Sequence, residues 1–252
     1  MNDALRGKTA LVTGAGRRIG REIALALGNA GVNVVIHYRH SLNESESLRD
    51  ELLSRGVKAW LAHADFESIQ QTRDLLQSAS ENAGKIDFLI NNASSFIPSS
   101  VDEIDFAGLM LDIQVNAWSP FMLSRFFARQ FGSGKIVNLI DTRVVGYDRT
   151  HIGYILSKKL LLTLTELMAL EYAPRITVNA VAPGLILPPA GRDQTYLDKL
   201  AASVPLEQHG DVNDVSGAVL FLLASDFVTG QVIFVDGGRH LSERNYGPHH
   251  NQ

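Results

Sequence analysis

An alternation along the chain constrains its fold more than any other feature. Short apolar, β-branched runs recur: "KTALVTG", "VNVVIHY", "KAWLAHAD", "IDFLINNA", "GKIVNLID", "RITVNAVAPG" and "GQVIFVDGG". Longer stretches with helical spacing separate them, among them "REIALALGNAG" and "SESLRDELLSRG". Strand and helix in repetition imply βαβ units, and these imply a parallel sheet. Nearly unbroken apolar strands suit a sheet covered by helices on both faces. The expectation is an α/β fold, a Rossmann-type doubly wound sheet of seven parallel strands. At 252 residues one such domain can bury a large core. With no internal repeat and no linker, a single domain over residues 1–240 is expected, with a polar, frayed tail over 241–252.

Charge and composition exclude several functions. The formal net charge of -4 gives no electrostatic footprint for nucleic acid. There is no cysteine, so disulfides and thiolate chemistry are out. The tail histidines lack the company of a metal site. No stretch approaches the roughly 20 apolar residues of a membrane helix, and the apolar run near the N-terminus is too short for a signal peptide. A cytoplasmic protein is the expectation.

"TGAGRRIG", Thr13 to Gly20, follows the first strand run and opens a helix. Glycines there let the backbone turn tightly and approach a pyrophosphate, which sits on amides at the helix N-terminus. The second strand ends in "HYRHS", with no acid to hold ribose hydroxyls. Arg39, His40 and Ser41 offer donors for a 2'-phosphate instead, so NADP(H) is the expected dinucleotide. Asp65, closing the third strand run, suits either the adenine amine or an N-cap for the next helix. "LILPPAGRDQT", from Leu185 to Thr195, breaks the pattern with two prolines after a strand end. It reads as a lid over the site or as a plain surface connection.

Further along, Tyr154 and Lys158 stand four residues apart and share one face of a helix. The chain now resembles a short-chain dehydrogenase/reductase over nearly its whole length. "TGAGRRIG", "NNAS", Val115-Asn116, "YILSK", Pro183-Gly184 and "FVTGQVIFVDGG" occur in that family's order. The resemblance implies that Tyr154 donates a proton, that Lys158 binds the nicotinamide ribose and lowers the tyrosine pKa, and that Asn116 completes a proton relay. The dinucleotide would lie on Gly14, Arg18, Ile19, Gly20, Tyr38, Arg39, His40, Ser41, Asp65, Asn92, Ala93, Ser94, Tyr154, Lys158, Pro183 and Gly184.

Two positions depart from the common pattern. Arg18 stands where a glycine is usual, and Asp141 stands where the catalytic serine is usual. A narrower group, the pteridine reductases, makes both changes and is similar at "NNASSF" and "HYRHS". That resemblance implies that Phe96 stacks on a pterin opposite the nicotinamide. It also implies that Arg18, Ser94, Asp141 and Tyr154 complete the pterin end, and that the protein is a homotetramer.

The residues bear on this independently. A carbonyl oxygen gains negative charge as hydride arrives and needs neutral or cationic donors. A carboxylate at 141 would repel it. A C=N bond needs a proton on nitrogen, and a tyrosine flanked by an acid can relay one. Phe96 alone would read as core, but its place just past a strand end and after two serines favours a pocket. The helix after Tyr154 has leucines at 160, 161, 162, 164, 167 and 170. They spread too far around it for one apolar stripe, and a partner subunit is the simplest second cover. The expected activity is NADPH-dependent reduction of a dihydropterin: dihydrobiopterin, dihydromonapterin or dihydrofolate. A carbonyl or 3-oxoacyl reductase, and a non-catalytic NADP(H)-binding regulator, are the alternatives.

Overall fold

A computed structural model describes residues 4–189, 191–242 and 245–246. Seven strands form one parallel sheet: β1 (Thr9–Val12), β2 (Asn33–Tyr38), β3 (Ala59–His63), β4 (Phe88–Asn91), β5 (Gly134–Leu139), β7 (Ile176–Pro183) and β8 (Val232–Val235). Each expected run supplies one of them. Their order is β3-β2-β1-β4-β5-β7-β8. The chain winds outward from β1 through β2 to β3, then returns to the other side of β1 with β4. The order therefore reverses between β1 and β4, where doubly wound sheets take ligands.

Helices α1 (Arg18–Asn29), α2 (Leu42–Ser54) and α8 (Val212–Ala224) cover one face. There Ile23, Leu27, Leu48, Leu52, Val219 and Leu222 pack on Val34, Ile36 and Ile90. Helices α3 (Ile69–Ala83), α5 (Ser119–Phe131) and α6 (Ile152–Tyr172) cover the other. There Leu75, Leu76, Leu123, Phe127 and Met168 pack on Leu11, Val35, Leu89 and Ile136. Two-sided burial explains why the strands carry so few polar residues. Helix α4 (Phe106–Ile113) runs into a π-helical turn, Gln114–Trp118, before α5. A 3-10 turn, Thr142–Val145, follows β5 and leads to β6 (Tyr147–Asp148).

The Leu185–Thr195 segment leads into α7 (Gln194–Ala201). Leu185, Leu197 and Val204 form a small apolar cluster of their own beneath it. The amide of Gly210 donates to Leu185 O at 2.9 Å, which anchors the segment's start. After β8 come α9 (Arg239–Ser242) and β9 (Asn245–Tyr246), which pairs in parallel with β6. This short pairing is more order than a frayed tail suggests; tail residues 243–244 and 247–252, including both tail histidines, lie outside the described residues.

Helix α6 is apolar on more than one side, as its leucines suggest. Leu161 and Met168 are buried, while Leu156, Leu160, Leu167 and Leu170 are exposed. Phe106, Met110 and Trp118 of the neighbouring α4 and π turn are exposed too. Among the described residues, no helix is long and apolar enough to cross a membrane.

Candidate active site

Six of the segments singled out in the sequence begin where a strand ends. In a parallel sheet all those ends lie on one edge, so one site gathers them. The Thr13–Gly20 loop follows β1, Arg39 to Ser41 follow β2 and Asp65 follows β3. Asn92 to Phe96 follow β4, Asp141 follows β5, and Gly184 follows β7.

The glycine loop is built for close approach. Gly14 has φ of +63°, a conformation that costs a side chain. A Cβ at Gly20 would collide with Gly14 O, and one at Gly16 with the hydroxyls of Ser41 and Ser45. Asn92 Nδ2 donates to Thr13 O at 2.9 Å and to Gly14 O at 3.1 Å. The amides of Asn92 and Ala93 both donate to Thr13 Oγ1, at 2.9 and 3.0 Å. Asn92 thus shapes the loop through its carbonyls. No side chain caps the first turn of α1, and no acid stands in it. Ser68 caps α3 and Asp211 caps α8. Uncapped amides beneath a close-packed glycine turn fit a pyrophosphate.

Arg18 has φ of +55°, one of two non-glycine residues with positive φ among those described. This explains why glycine is usual at that position: the backbone there is left-handed whatever the side chain. The guanidinium donates to Pro188 O at 2.8 Å. Pro188, in the segment that follows β7, is thereby tied to the glycine loop. Arg39 pairs with Asp65 at 3.0 Å and Glu67 at 2.6 Å, while His40 is exposed. Asp65 is not the N-cap of α3, because Ser68 takes the Gln71 amide. Asp65 Oδ1 instead accepts the Glu67 amide at 2.9 Å.

At the other end of the edge, Tyr154 is buried and its hydroxyl donates to Asp141 Oδ2 at 2.8 Å. The Arg143 amide donates to Asp141 Oδ1 at 2.8 Å, which aims the carboxylate. Burial, and then the charge of Asp141, push the Tyr154 phenol well above its ordinary pKa. Arg143 is the cation that opposes this. Lys158 Nζ lies over the Tyr154 ring, 5.7 Å from its centre, and donates to Leu139 O at 2.8 Å; burial lowers its own pKa to about 8.

Asn116 lies in the π turn, a kind of irregularity often found at functional sites. Its Oδ1 accepts from Ser94 Oγ at 2.9 Å and Ser95 N at 2.8 Å, and its Nδ2 donates to Ser157 Oγ at 3.1 Å. The Ser94 hydroxyl is shared between Asn116 Oδ1 and Ser95 O, the latter at 3.1 Å. Ser95 Oγ reaches on to the buried Asp112 at 2.7 Å. Burial raises the Asp112 pKa against the opposing Ser95 bond.

Phe96 stands 42% exposed, with its edge geometry on Tyr154 at 4.7 Å and 87°. His151 stacks on it at 3.9 Å and 11°. The Arg143 guanidinium lies over the same ring, 5.1 Å from its centre. It also lies 4.0 Å from Asp141 Oδ1 and 3.0 Å from Asp148 Oδ2, the latter too bent for a hydrogen bond. Burial would raise Asp148, but bonds from His151 and Thr150 and the charge of Arg143 hold it at about 2.

Sequence reasoning missed Thr13, His37, Ser95, Asp112, Arg143 and His151. Arg143 carried a signal: it is a cation two residues beyond the unusual acid. His37 carried another, as a polar residue inside an apolar strand run.

A doubly wound sheet with a glycine loop at its switch point, and a Tyr-Lys pair across the same edge, defines a nicotinamide-dependent oxidoreductase. The chain belongs to the short-chain dehydrogenase/reductase superfamily: the enoyl-(acyl carrier protein) reductase family matches residues 14–240. It is 31% identical to the 3-oxoacyl-(acyl-carrier-protein) reductase FabG of Staphylococcus epidermidis, over 93% of this chain and 99% of that protein. Among solved structures it is similar to FolM alternative dihydrofolate reductase 1 from Brucella suis in complex with NADP. That likeness has a TM-score of 0.89 at 33% identity, covering 96% of this chain and 98% of the other. The Brucella canis protein of the same name, also complexed with NADP, has a TM-score of 0.90 at 31% identity, covering 99% of each chain.

Proposed function

We propose that this protein is an NADPH-dependent pteridine reductase, turning a dihydropterin into its tetrahydro form. The observation that carries the reading is the Tyr154 hydroxyl donating to Asp141 at 2.8 Å. Bound NADPH would supply hydride for a ring carbon, and the chain would have to deliver a proton to the adjacent nitrogen. A buried phenol with a raised pKa is a weak acid by itself. Tyr154 gives its proton to the ring nitrogen, and a proton from solvent, passed along the hydrogen bond through Asp141 Oδ2, refills the phenol. The carboxylate would oppose a developing alkoxide, so the same pair serves C=N better than C=O.

In this reading Phe96 is the platform for the pterin ring, while Arg18, Ser94, Asp141 and Tyr154 border it. Asn116 orders the Ser94–Ser95 turn, and Lys158 holds the nicotinamide ribose. Gly14, Ile19, Gly20, Tyr38, Arg39, His40, Ser41, Asp65, Asn92, Ala93, Pro183 and Gly184 make up the remaining cofactor surface. The names of the Brucella relatives support reduction of a folate-type ring. The exposed leucines of α6 support a homotetramer, which light scattering of the purified protein would test.

A second reading has its own support. The FabG relative at 31% identity carries the name of a 3-oxoacyl reductase, whose substrate is a ketone. The deciding assay is NADPH oxidation with dihydrobiopterin, dihydromonapterin, dihydrofolate and a 3-oxoacyl thioester, using wild type, Asp141→Ala and Asp141→Ser. The expected result is turnover of a dihydropterin, lost by at least about 100-fold in Asp141→Ala with NADPH affinity retained. Thioester turnover that improves in Asp141→Ser would establish the second reading.

A further inference from the structure

β2 reads NVVIHY, and its fifth residue breaks an otherwise apolar strand. His37 is 2% exposed, and a buried imidazole is tolerated only when both ring nitrogens are partnered. Nδ1 accepts the amide of Gly14 at 3.0 Å, and Nε2 lies 3.1 Å from Ala64 O. A carbonyl only accepts and an amide only donates. The partners therefore fix the tautomer: the proton sits on Nε2 and Nδ1 is bare. The ring stacks on Phe66 at 4.6 Å and 6°, so it cannot turn away. The carbonyl of the same residue accepts the amide of Ala15 at 2.9 Å.

One residue thus takes two consecutive amides of the glycine loop, Gly14 and Ala15. Neither is left for a phosphate, and both are aimed back at β2. We propose that His37 is a positioning residue of the dinucleotide site. By holding Gly14 and Ala15 it sets the direction of the loop, so that the following amides, from Gly16 into the first turn of α1, face the pyrophosphate. It also precedes Tyr38 to Ser41 directly. The pyrophosphate loop and the 2'-phosphate turn are thereby referred to one fixed side chain. A merely apolar residue would fill the strand position equally well, but would leave the Gly14 amide without its acceptor. The proposal rests on NADPH binding alone and holds whatever ring or carbonyl the enzyme reduces.

Two variants separate positioning from packing. His37→Phe keeps a ring for Phe66 and loses the acceptor. His37→Asn puts an amide oxygen near the place of Nδ1 and gives up the contact with Ala64. Both are expected to lower the melting temperature of the free protein. Only His37→Phe is expected to weaken NADPH binding, by about tenfold in the dissociation constant read by cofactor fluorescence. His37→Asn should stay within about threefold of wild type. Wild-type affinity in His37→Phe would overturn the proposal, as would equal loss in both variants. If His37→Phe does not fold, nitrogen NMR of the wild-type imidazole decides. A proton on Nε2 with coupling from the Gly14 amide to Nδ1 supports the proposal. The opposite tautomer, or no coupling, overturns it.

Discussion

The Tyr154 hydroxyl donates a hydrogen bond to Asp141 Oδ2 at 2.8 Å, and Asp141 is in turn held by the amide of Arg143 at 2.8 Å. The phenol is therefore tied to an acid whose direction is set by the residue that also supplies the nearest opposing charge. Arg143 lies between Asp141 and Asp148 and over the Phe96 ring, so one guanidinium touches the proton donor's partner and the proposed platform together.

Removing that cation should be felt in the pH profile. Arg143 works to lower the Tyr154 pKa against burial and Asp141. In Arg143→Ala the phenol becomes a still weaker acid. Turnover is expected to fall about tenfold or more, with the alkaline limb of kcat displaced upward. Arg143→Lys, which keeps a charge but not the planar contact on Phe96, should recover part of the rate. Profiles of kcat against pH for the three proteins check this. An Arg143→Ala profile that overlays wild type would remove Arg143 from the proton chemistry.

Much of this arrangement was legible in the sequence because parallel topology does the gathering. Once the runs ending at Val12, Tyr38, Asn91 and Leu139 are read as parallel strands, everything just past them must share an edge. Asp141 and Tyr154 could be paired for the same reason, with the helix phase adding Lys158. What stayed hidden depended on local turns and distant partners. The 3-10 turn after Asp141 folds Arg143 back on the acid, where the string "DTRVVG" reads as an ordinary loop. Asp65 resembled a helix cap, but Ser68, three residues on, is the one placed to receive a free first-turn amide. Asp112, in α4, meets Ser95 from 17 residues away, a contact that no local spacing announces.

Asp112 also explains Gly153. A Cβ there would fall inside contact distance of Asp112 Oδ2, one residue before Tyr154. Gly153→Ala is expected to cost about 1–3 kcal/mol, the usual range for overpacking. Asp112→Ala removes the obstacle, so the double variant should be more stable than the sum of the single losses by about 1 kcal/mol. Urea denaturation of the four proteins measures the coupling. Strict additivity would mean the contact is relieved by other movements.

Lys158 offers a test of the cofactor assignment. Burial brings its pKa to about 8 despite Asp141. Below that value the side chain is charged and, in the proposed reading, would serve the ribose as a cation donor; as pH rises through it, the charge is lost. NADPH affinity should therefore be flat up to about pH 7.5 and weaken about tenfold per unit well above pH 8. Lys158→Met should bind weakly at every pH and show no such break. Fluorescence titration of NADPH between pH 6.5 and 9.5 reads both.

His37 makes a prediction about the fold itself. Burial holds its pKa at about 4, below the ordinary histidine value of 6.5, against the pull of the Ala64 bond. Above pH 6.5 the folded and unfolded chains are both neutral at this position and the contribution to stability is complete. As pH falls from 6.5 toward 4 the unfolded chain takes up a proton that the folded chain refuses. Stability is lost across that window, by up to about 3 kcal/mol, and is not recovered below it. Carboxylates add an acid loss of their own, so the informative quantity is the difference from His37→Phe, which lacks this group. Urea unfolding at pH 7.0, 5.5 and 4.5 should show wild type losing more stability than the variant at each step. The excess arises because burial disfavours the charged ring; a proton on Nδ1 would also face the Gly14 amide, so the acceptor that aims the glycine loop exists only while the imidazole is neutral. Parallel pH dependence in the two proteins would mean that His37 is accessible to protons in the folded state and that the loop does not depend on its bare nitrogen.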